Sequence, residues 1–275
     1  MIGVMQGRLS KPRSHLIQEF PWETWQNEFF LAKEIGLDLI EWTVDFLRIH
    51  ENPIFLDSMR LEINTLKNIS NVQVESITLD NYITAPLHKL NSKTKQISQI
   101  ESLYWIIDQA LKIDIKILII PIVAENGGEN SESLNNLKKK IFLAQKYLEK
   151  KNLQIALECE LSLEKIQDLY VAFKNFDRIG FNFDTGNSAA LNNDPVDEIN
   201  LYADKLFNVH IKDRLIKGIS VPLGLGSADF KKIFEELGRA NYSKNYILQA
   251  ARIAEQDEST TVKHYRDFCV SLCNY

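Results

Sequence analysis

The chain has 275 residues, 45% of them hydrophobic and 25% charged, which is a soluble globular composition. Its formal charge of −5 argues against a protein that binds nucleic acid by coating phosphates. Small anionic ligands stay open, because one or two local cations suffice for them. Three cysteines give no paired framework, and no apolar stretch approaches the ~20 residues of a membrane span. The opening MIGVMQGRLSKPR lacks a signal-peptide core, so a reduced cytoplasmic protein is expected, with neither membrane nor nucleic acid as partner.

In chain order, eight apolar runs alternate with stretches of helical spacing. Ile2–Met5 comes first, followed by Gln6 and Arg8. Trp22, Trp25, Phe29 and Ala32 then recur at three and four, between Pro21 and a stop at Gly36. Leu39–Trp42 is the second run and carries Glu41. Val72–Leu79 is the third, followed by Asp80 and Tyr82. Ile97, Ile100, Tyr104, Ile107 and Leu111 share a helical face before the fourth run, Ile117–Val123. The NGGEN loop after it should leave Glu125 solvated. Leu134, Leu137, Ile141 and Leu148 precede the fifth run, Gln154–Cys159. A helix from about Ser162 to Phe173 leads to Ile179–Asp184. Asp194 and Pro195, a capping residue and a first-turn proline, open the helix before Leu206–Ile211. A helix over Asp229–Leu237 ends at Gly238, Tyr246–Gln249 is the eighth run, and Val262, Tyr265, Cys269 and Leu272 mark the last helix.

One strand–helix unit per roughly 34 residues is the pattern of parallel βαβ architecture. An open doubly wound sheet would concentrate its polar residues at one switch point. Here they end many different strands, and the unit count is eight in about the ~250 residues typical of a barrel. GVMQGR does not match a dinucleotide-binding glycine turn. A single (β/α)8 barrel spanning 1–275 is therefore expected, since no linker or low-complexity tract divides the chain.

Four of the runs close on polar side chains: QIALE on Glu158, IGFNFD on Asp184, LFNVH on His210 and YILQ on Gln249. Asp184 stands 26 residues after Glu158, and His210 a further 26 on. Taken singly, a carboxylate at a strand end is often a helix cap and a histidine often structural. Together, two carboxylates, an imidazole and an amide oxygen on one barrel rim make a divalent metal site. Period-two alternation also puts Glu160 on the side of Glu158. Gly186, in FDTGN, would turn the chain sharply out of the barrel. Arg8 could hold a phosphate or carboxylate, Trp42 could wall the pocket, and Asp80 is either a pocket group or a turn cap. Lys212 and Arg214 follow His210, and Arg214 is the stronger candidate for substrate oxygens. The backbone of Gly224 to Ser227 could face an anion, although a flexible loop is the plainer expectation.

MQGRLS, GLDLIEW, HIKDR and VPLGLGSADF, together with the four strand ends, resemble the xylose isomerase-like barrel superfamily of sugar and sugar-phosphate isomerases and epimerases. D-tagatose 3-epimerase and endonuclease IV are relatives in that superfamily. The resemblance implies a divalent ion (Mn2+, Mg2+, Co2+ or Zn2+) on Glu158, Asp184 and His210, a small carbohydrate substrate, and proton abstraction next to a carbonyl with Glu158 as base. The family's fourth ligand is a glutamate that also moves a proton. This chain has Gln249, whose amide can coordinate but cannot act as a base. It also has Asn187 where the family tends to carry a substrate-contacting histidine. Glu41, Asp213 or a metal-held water is then expected to return the proton, and Gln6, Arg8, Trp42, Asp80, Asn187 and Arg214 to bind substrate. Two alternatives stay open: a metal-dependent dehydratase or lyase on a polyol acid, and a barrel that binds sugar or metal without catalysis. A multi-zinc nuclease is disfavoured, because of the five histidines (His15, His50, His88, His210, His264) only His210 ends a strand. A homodimer is one assembly left open.

Overall fold

The computed structural model describes residues 1–12, 18–89, 92–124 and 130–273, so Glu125 and His15 lie outside the described residues. Eight parallel strands close into a barrel, in the order β1-β10-β7-β6-β5-β4-β3-β2. They are β1 (Ile2–Met5), β2 (Leu39–Thr43), β3 (Ser76–Thr78), β4 (Ile117–Val123), β5 (Gln154–Glu160), β6 (Ile179–Asp184), β7 (Leu206–Ile211) and β10 (Tyr246–Leu248). A two-stranded antiparallel ribbon, β8 (Asp213–Arg214) and β9 (Ser220–Val221), stands outside the ring just after β7. The expected third strand is cut to three residues. Val72 and Val74 are buried in the approach to it, where only an isolated bridge joins Gln73 to Leu39.

Helices α1 (Trp25–Ile35), α2 (Asp57–Ser70), α4 (Lys93–Leu111), α5 (Ser131–Leu148), α6 (Leu163–Phe173), α8 (Pro195–Tyr202), α9 (Phe230–Arg239) and α10 (Glu258–Cys273) follow strands in the connections. Short helices α3 (Asn81–Thr84) and α7 (Thr185–Ala190) sit directly on the ends of β3 and β6. Asp194 caps α8 through Val196 N–H at 2.8 Å, with Pro195 in the first turn as expected. Helix α2 escaped the periodicity. Its buried positions include Arg60 and Ser70, while Leu61 and Ile69 face solvent, which blurs the apolar stripe. No helix among the described residues is long and apolar enough to cross a membrane.

Alternation along the strands separates two kinds of core. Leu118, Ile120, Ile155, Leu157, Phe181 and Val209 belong to the large cluster between sheet and helices. Ile117, Ile119, Ala156 and Phe207 form one separate cluster, and Met5, Leu39 and Ile247 another. These alternate with the outward set and floor the barrel interior. Above them the inward positions turn polar. Glu158 pairs in register with Asn182, Asn182 with Asn208, and Asp184 with His210. This register depends on a shift in the β6–β7 ladder, where Phe181 pairs with Leu206 and Asn182 with Asn208, skipping Phe207. Gly180 admits the skipped ring, since a Cβ there would lie 2.6 Å from it.

Phe207 thus fills the floor on which the polar layer stands. Phe207→Ala is expected to cost about 3–5 kcal/mol of unfolding free energy by chemical denaturation. A loss below about 1 kcal/mol would mean that the floor collapses around the void.

Candidate metal centre

The ends of β5, β6 and β7 bring Glu158, Asp184 and His210 together, with one ligand atom from each within 4.8 Å of the others. All three side chains are buried. Glu158 Oε1 accepts from Asn187 Nδ2 at 3.2 Å and its Oε2 from Asn182 Nδ2 at 3.4 Å. Asp184 divides its oxygens. Oδ1 accepts from the Gly186 and Asn187 amides at 2.8 Å each, capping α7, while Oδ2 faces Lys212 Nζ at 3.5 Å. The carboxylate is thus a helix cap through one oxygen and a candidate ligand through the other.

His210 is oriented from below. Its Nε2 lies 2.7 Å from Glu41 Oε1, and Glu41 also accepts from Ser76 Oγ at 2.7 Å, Thr78 Oγ1 at 2.6 Å and Asn208 Nδ2 at 3.0 Å. A proton on Nε2 satisfies Glu41 and turns Nδ1 toward Glu158 Oε2, 3.1 Å away. Nδ1 makes no hydrogen bond there. Fourth comes Gln249, one residue past β10. Its backbone N–H still donates to Ile211 C=O at 3.0 Å, and its buried Oε1 has no hydrogen-bond partner.

The electrostatics are those of a site that wants a cation. Burial opposes the charge on Glu158, but His210 and Lys212 outweigh it and hold its carboxyl below the usual range. Burial raises Asp184, aided by Glu158 and opposed by Lys212. Burial would also lower His210, yet Glu41 and Glu158 on its two sides push it well above the ordinary imidazole value. Crowded carboxylates, an imidazole nitrogen that a bound cation would hold deprotonated and an orphaned amide oxygen fit a divalent ion with mixed O and N ligands.

A cavity of about 190 Å³ opens above this layer, its wall including Arg8, Asp80, Glu158, Glu160, Asn187, Lys212 and Gln249. Arg8 is carried there by a loop latched to α1. Glu28 accepts from Gly7 N–H at 3.0 Å, Leu9 N–H at 3.2 Å and Ser10 Oγ at 2.8 Å, while Arg252 donates to Gly7 C=O at 2.9 Å. Gly7 is required at φ +92°, where a Cβ would meet Glu19 C=O at 2.5 Å. Burial and Arg252 lower the Arg8 pKa to about 10, which leaves it charged at neutral pH.

Several expectations are corrected. Glu41 is not a pocket acid: it is fully buried beneath His210 with its oxygens taken. Trp42, next along β2, points the opposite way, bonds Asn52 Oδ1 at 2.8 Å and packs on Phe20 and Trp25. It does not wall the cavity. Asp213 is bound by its own loop, accepting from Gly224, Gly226 and Ala228 N–H at 2.9, 2.8 and 3.1 Å. It is no proton donor to substrate, and those amides are not free for an external anion. Arg214 is held by Glu160 Oε1 at 2.8 Å and Asn187 Oδ1 at 2.9 Å, so Lys212 lines the cavity in its place. Gln6 lies behind the wall, accepting from Thr43 N–H at 3.3 Å. Gly186 sits within α7, where a Cβ would press on Lys212 Cγ at 2.8 Å; it serves a close approach and not a turn. Asn187 and Asp80 do line the cavity, and Asp80 makes no capping bond to α3. Gln18 and the supporting Asn182, Asn208, Ser76 and Thr78 went unread. A polar residue two positions from another inside an apolar run was the available signal, as in Asn182 before Asp184 and Asn208 before His210.

If Glu41 fixes the His210 tautomer, Glu41→Gln weakens Mn2+ or Zn2+ binding 10–100-fold by calorimetric titration, and His210→Ala abolishes it. Unchanged affinity in both variants would place the metal elsewhere.

Residues 29–266 match the model of the xylose isomerase-like TIM barrel family. L-ribulose-5-phosphate 3-epimerase UlaE of Escherichia coli is 24% identical over 263 residues, covering 90% of this chain and 89% of its own. Among solved structures, a D-psicose 3-epimerase crystallised in the presence of D-fructose superposes with a TM-score of 0.77 at 12% identity, over 100% of this chain and 99% of that one. The zinc-bound IOLI protein superposes at 0.72 with 14% identity, over 99% and 97%. With the closed ring and the Glu–Asp–His cluster at its rim, the match over most of its length makes this chain a member of the xylose isomerase-like TIM barrel family.

Proposed function

We propose that the chain is a divalent-metal-dependent isomerase or epimerase acting on a small ketose or ketose phosphate by proton abstraction next to the carbonyl. The observation that carries this reading is the convergence of Glu158, Asp184 and His210 at one rim of the barrel, next to a cavity that Glu158 and Gln249, its Oε1 unpartnered, both line. Those four side chains would hold the metal, which when bound supplies a Lewis acid for adjacent carbonyl and hydroxyl oxygens. Glu158 is the base. It is ionised, lines the cavity, and is steered by Asn182 and Asn187. Lys212 and Arg8 both line the cavity, cations that suit sugar oxygens and a phosphate. The name of the E. coli relative favours a ketopentose phosphate.

Gln249 favours one second reading, because elimination of water from a polyol acid needs a single base. The two part on product: exchange and epimerisation conserve mass, whereas elimination loses water.

The test is incubation of Mn2+- or Co2+-loaded protein with L-ribulose 5-phosphate and D-psicose in D2O. Deuterium is expected at C3 by NMR, falling at least 100-fold in Glu158→Gln. Absence of exchange with every ketose and ketose phosphate tried would sink proton abstraction.

A further inference from the structure

A carboxylate base works only while it is aimed, and part of the aim of Glu158 comes from amides on its two oxygens. Asn182 Nδ2 lies 3.4 Å from Oε2, and Asn187 Nδ2 donates to Oε1 at 3.2 Å. A side-chain amide can do this only with its NH2 end, and not its C=O end, toward the carboxylate. At Asn187 that choice is made from the other side. Its Oδ1 accepts from Arg214 Nη1 at 2.9 Å and lies 3.5 Å from Lys212 Nζ. Turned over, the amide would set its NH2 against two cations and its C=O against Glu158, so one orientation wins. Lys212 stands at the edge of hydrogen-bond reach, which leaves Arg214 as the closer hold. Arg214 is itself fixed. Its Nη1 also donates to Glu160 Oε1 at 2.8 Å, and its Nε donates to Gly218 C=O at 3.2 Å, in the turn joining β8 to β9. Asn187 and Glu158 line the cavity, whereas Arg214 stands behind that wall.

We propose that Arg214 is a positioning residue for the base: it fixes the Asn187 amide with its NH2 on Glu158, so that the ribbon outside the ring aims a carboxylate on β5. This rests on the function proposed above. Arg214 acts through Asn187 alone and makes no contact with substrate. The short helix α7 carries Asn187 to the right height, because the Asn187 backbone N–H donates to Asp184 Oδ1 at 2.8 Å. The backbone thus sets where the amide sits, and Arg214 sets which way round it lies.

The experiment is a double-variant cycle of Arg214→Met and Asn187→Ala, each Mn2+-loaded, with exchange at C3 of L-ribulose 5-phosphate followed in D2O. Each single variant is expected to lower kcat about 10–100-fold with KM unchanged. In the Asn187→Ala background, Arg214→Met should cost less than about twofold, because the residue through which it acts is gone. Arg214→Lys should recover part of the rate, and it takes the place of Arg214→Met in the cycle should that variant fail to fold. A second readout needs no turnover. In protein labelled with 15N-asparagine, the Asn187 side-chain NH2 signal, identified by its loss in Asn187→Ala, should shift and exchange faster with solvent in Arg214→Met. Two losses that multiply in the double variant overturn the assignment, as does an Asn187 signal unmoved by Arg214→Met. A wild-type protein inert toward every ketose instead removes the function on which the assignment rests, while the amide signal still reports the clamp.

Discussion

A single buried hydrogen bond, from His210 to Glu41, sets the height and aim of everything at the barrel mouth. A carboxylate in a barrel interior is costly unless its lone pairs are occupied, and four donors from β3 and β7 occupy those of Glu41. The same bonds consume one imidazole nitrogen and leave the other to the cavity. The polar layer above the apolar floor is then a built second tier. It costs desolvation but fixes one ring nitrogen in place, as metal chemistry requires.

Around that anchor, side chains are used twice. Asp184 caps α7 with one oxygen and faces the centre with the other, so the helix presenting Asn187 is positioned by a metal-ligand candidate. Asn187 in turn joins Glu158 to Arg214, and Arg214 joins the outer ribbon to Glu160. Thr185 and Lys212 clip β6 to β7 through reciprocal bonds of 2.5 and 2.9 Å. The carboxylates of the site are in this way coupled through short, mostly charge-assisted links, and few of them can move alone.

The barrel and three metal-ligand candidates were legible because one rule covers both: a buried strand reads as an apolar run, and a rim side chain must close it. What lay one step from that rule was misread. Glu41 and Trp42 are adjacent in sequence, and alternation sends one into the barrel and the other into the helix layer. The pattern could have told them apart, but not the depth at which Glu41 sits. Asp213 and Arg214 follow a true ligand candidate closely and looked functional by proximity. Their partners, Gly224 to Ala228 and Glu160, are distant in sequence, so nothing local announced that both were already occupied. Asp80 shows the reverse. A turn cap was an equal alternative for it, and only the three-dimensional structure reveals that the cap is not made.

The Asp213 cradle has a consequence for how a ligand's charge is recognised. Three backbone amides aimed at one point are what a phosphate group seeks. This chain fills that nest with its own carboxylate, so the three amides are closed to an incoming anion. The guanidinium of Arg8, whose loop is tethered by Glu28 and Arg252, does line the cavity. A nest closed from within is spent on holding its own loop.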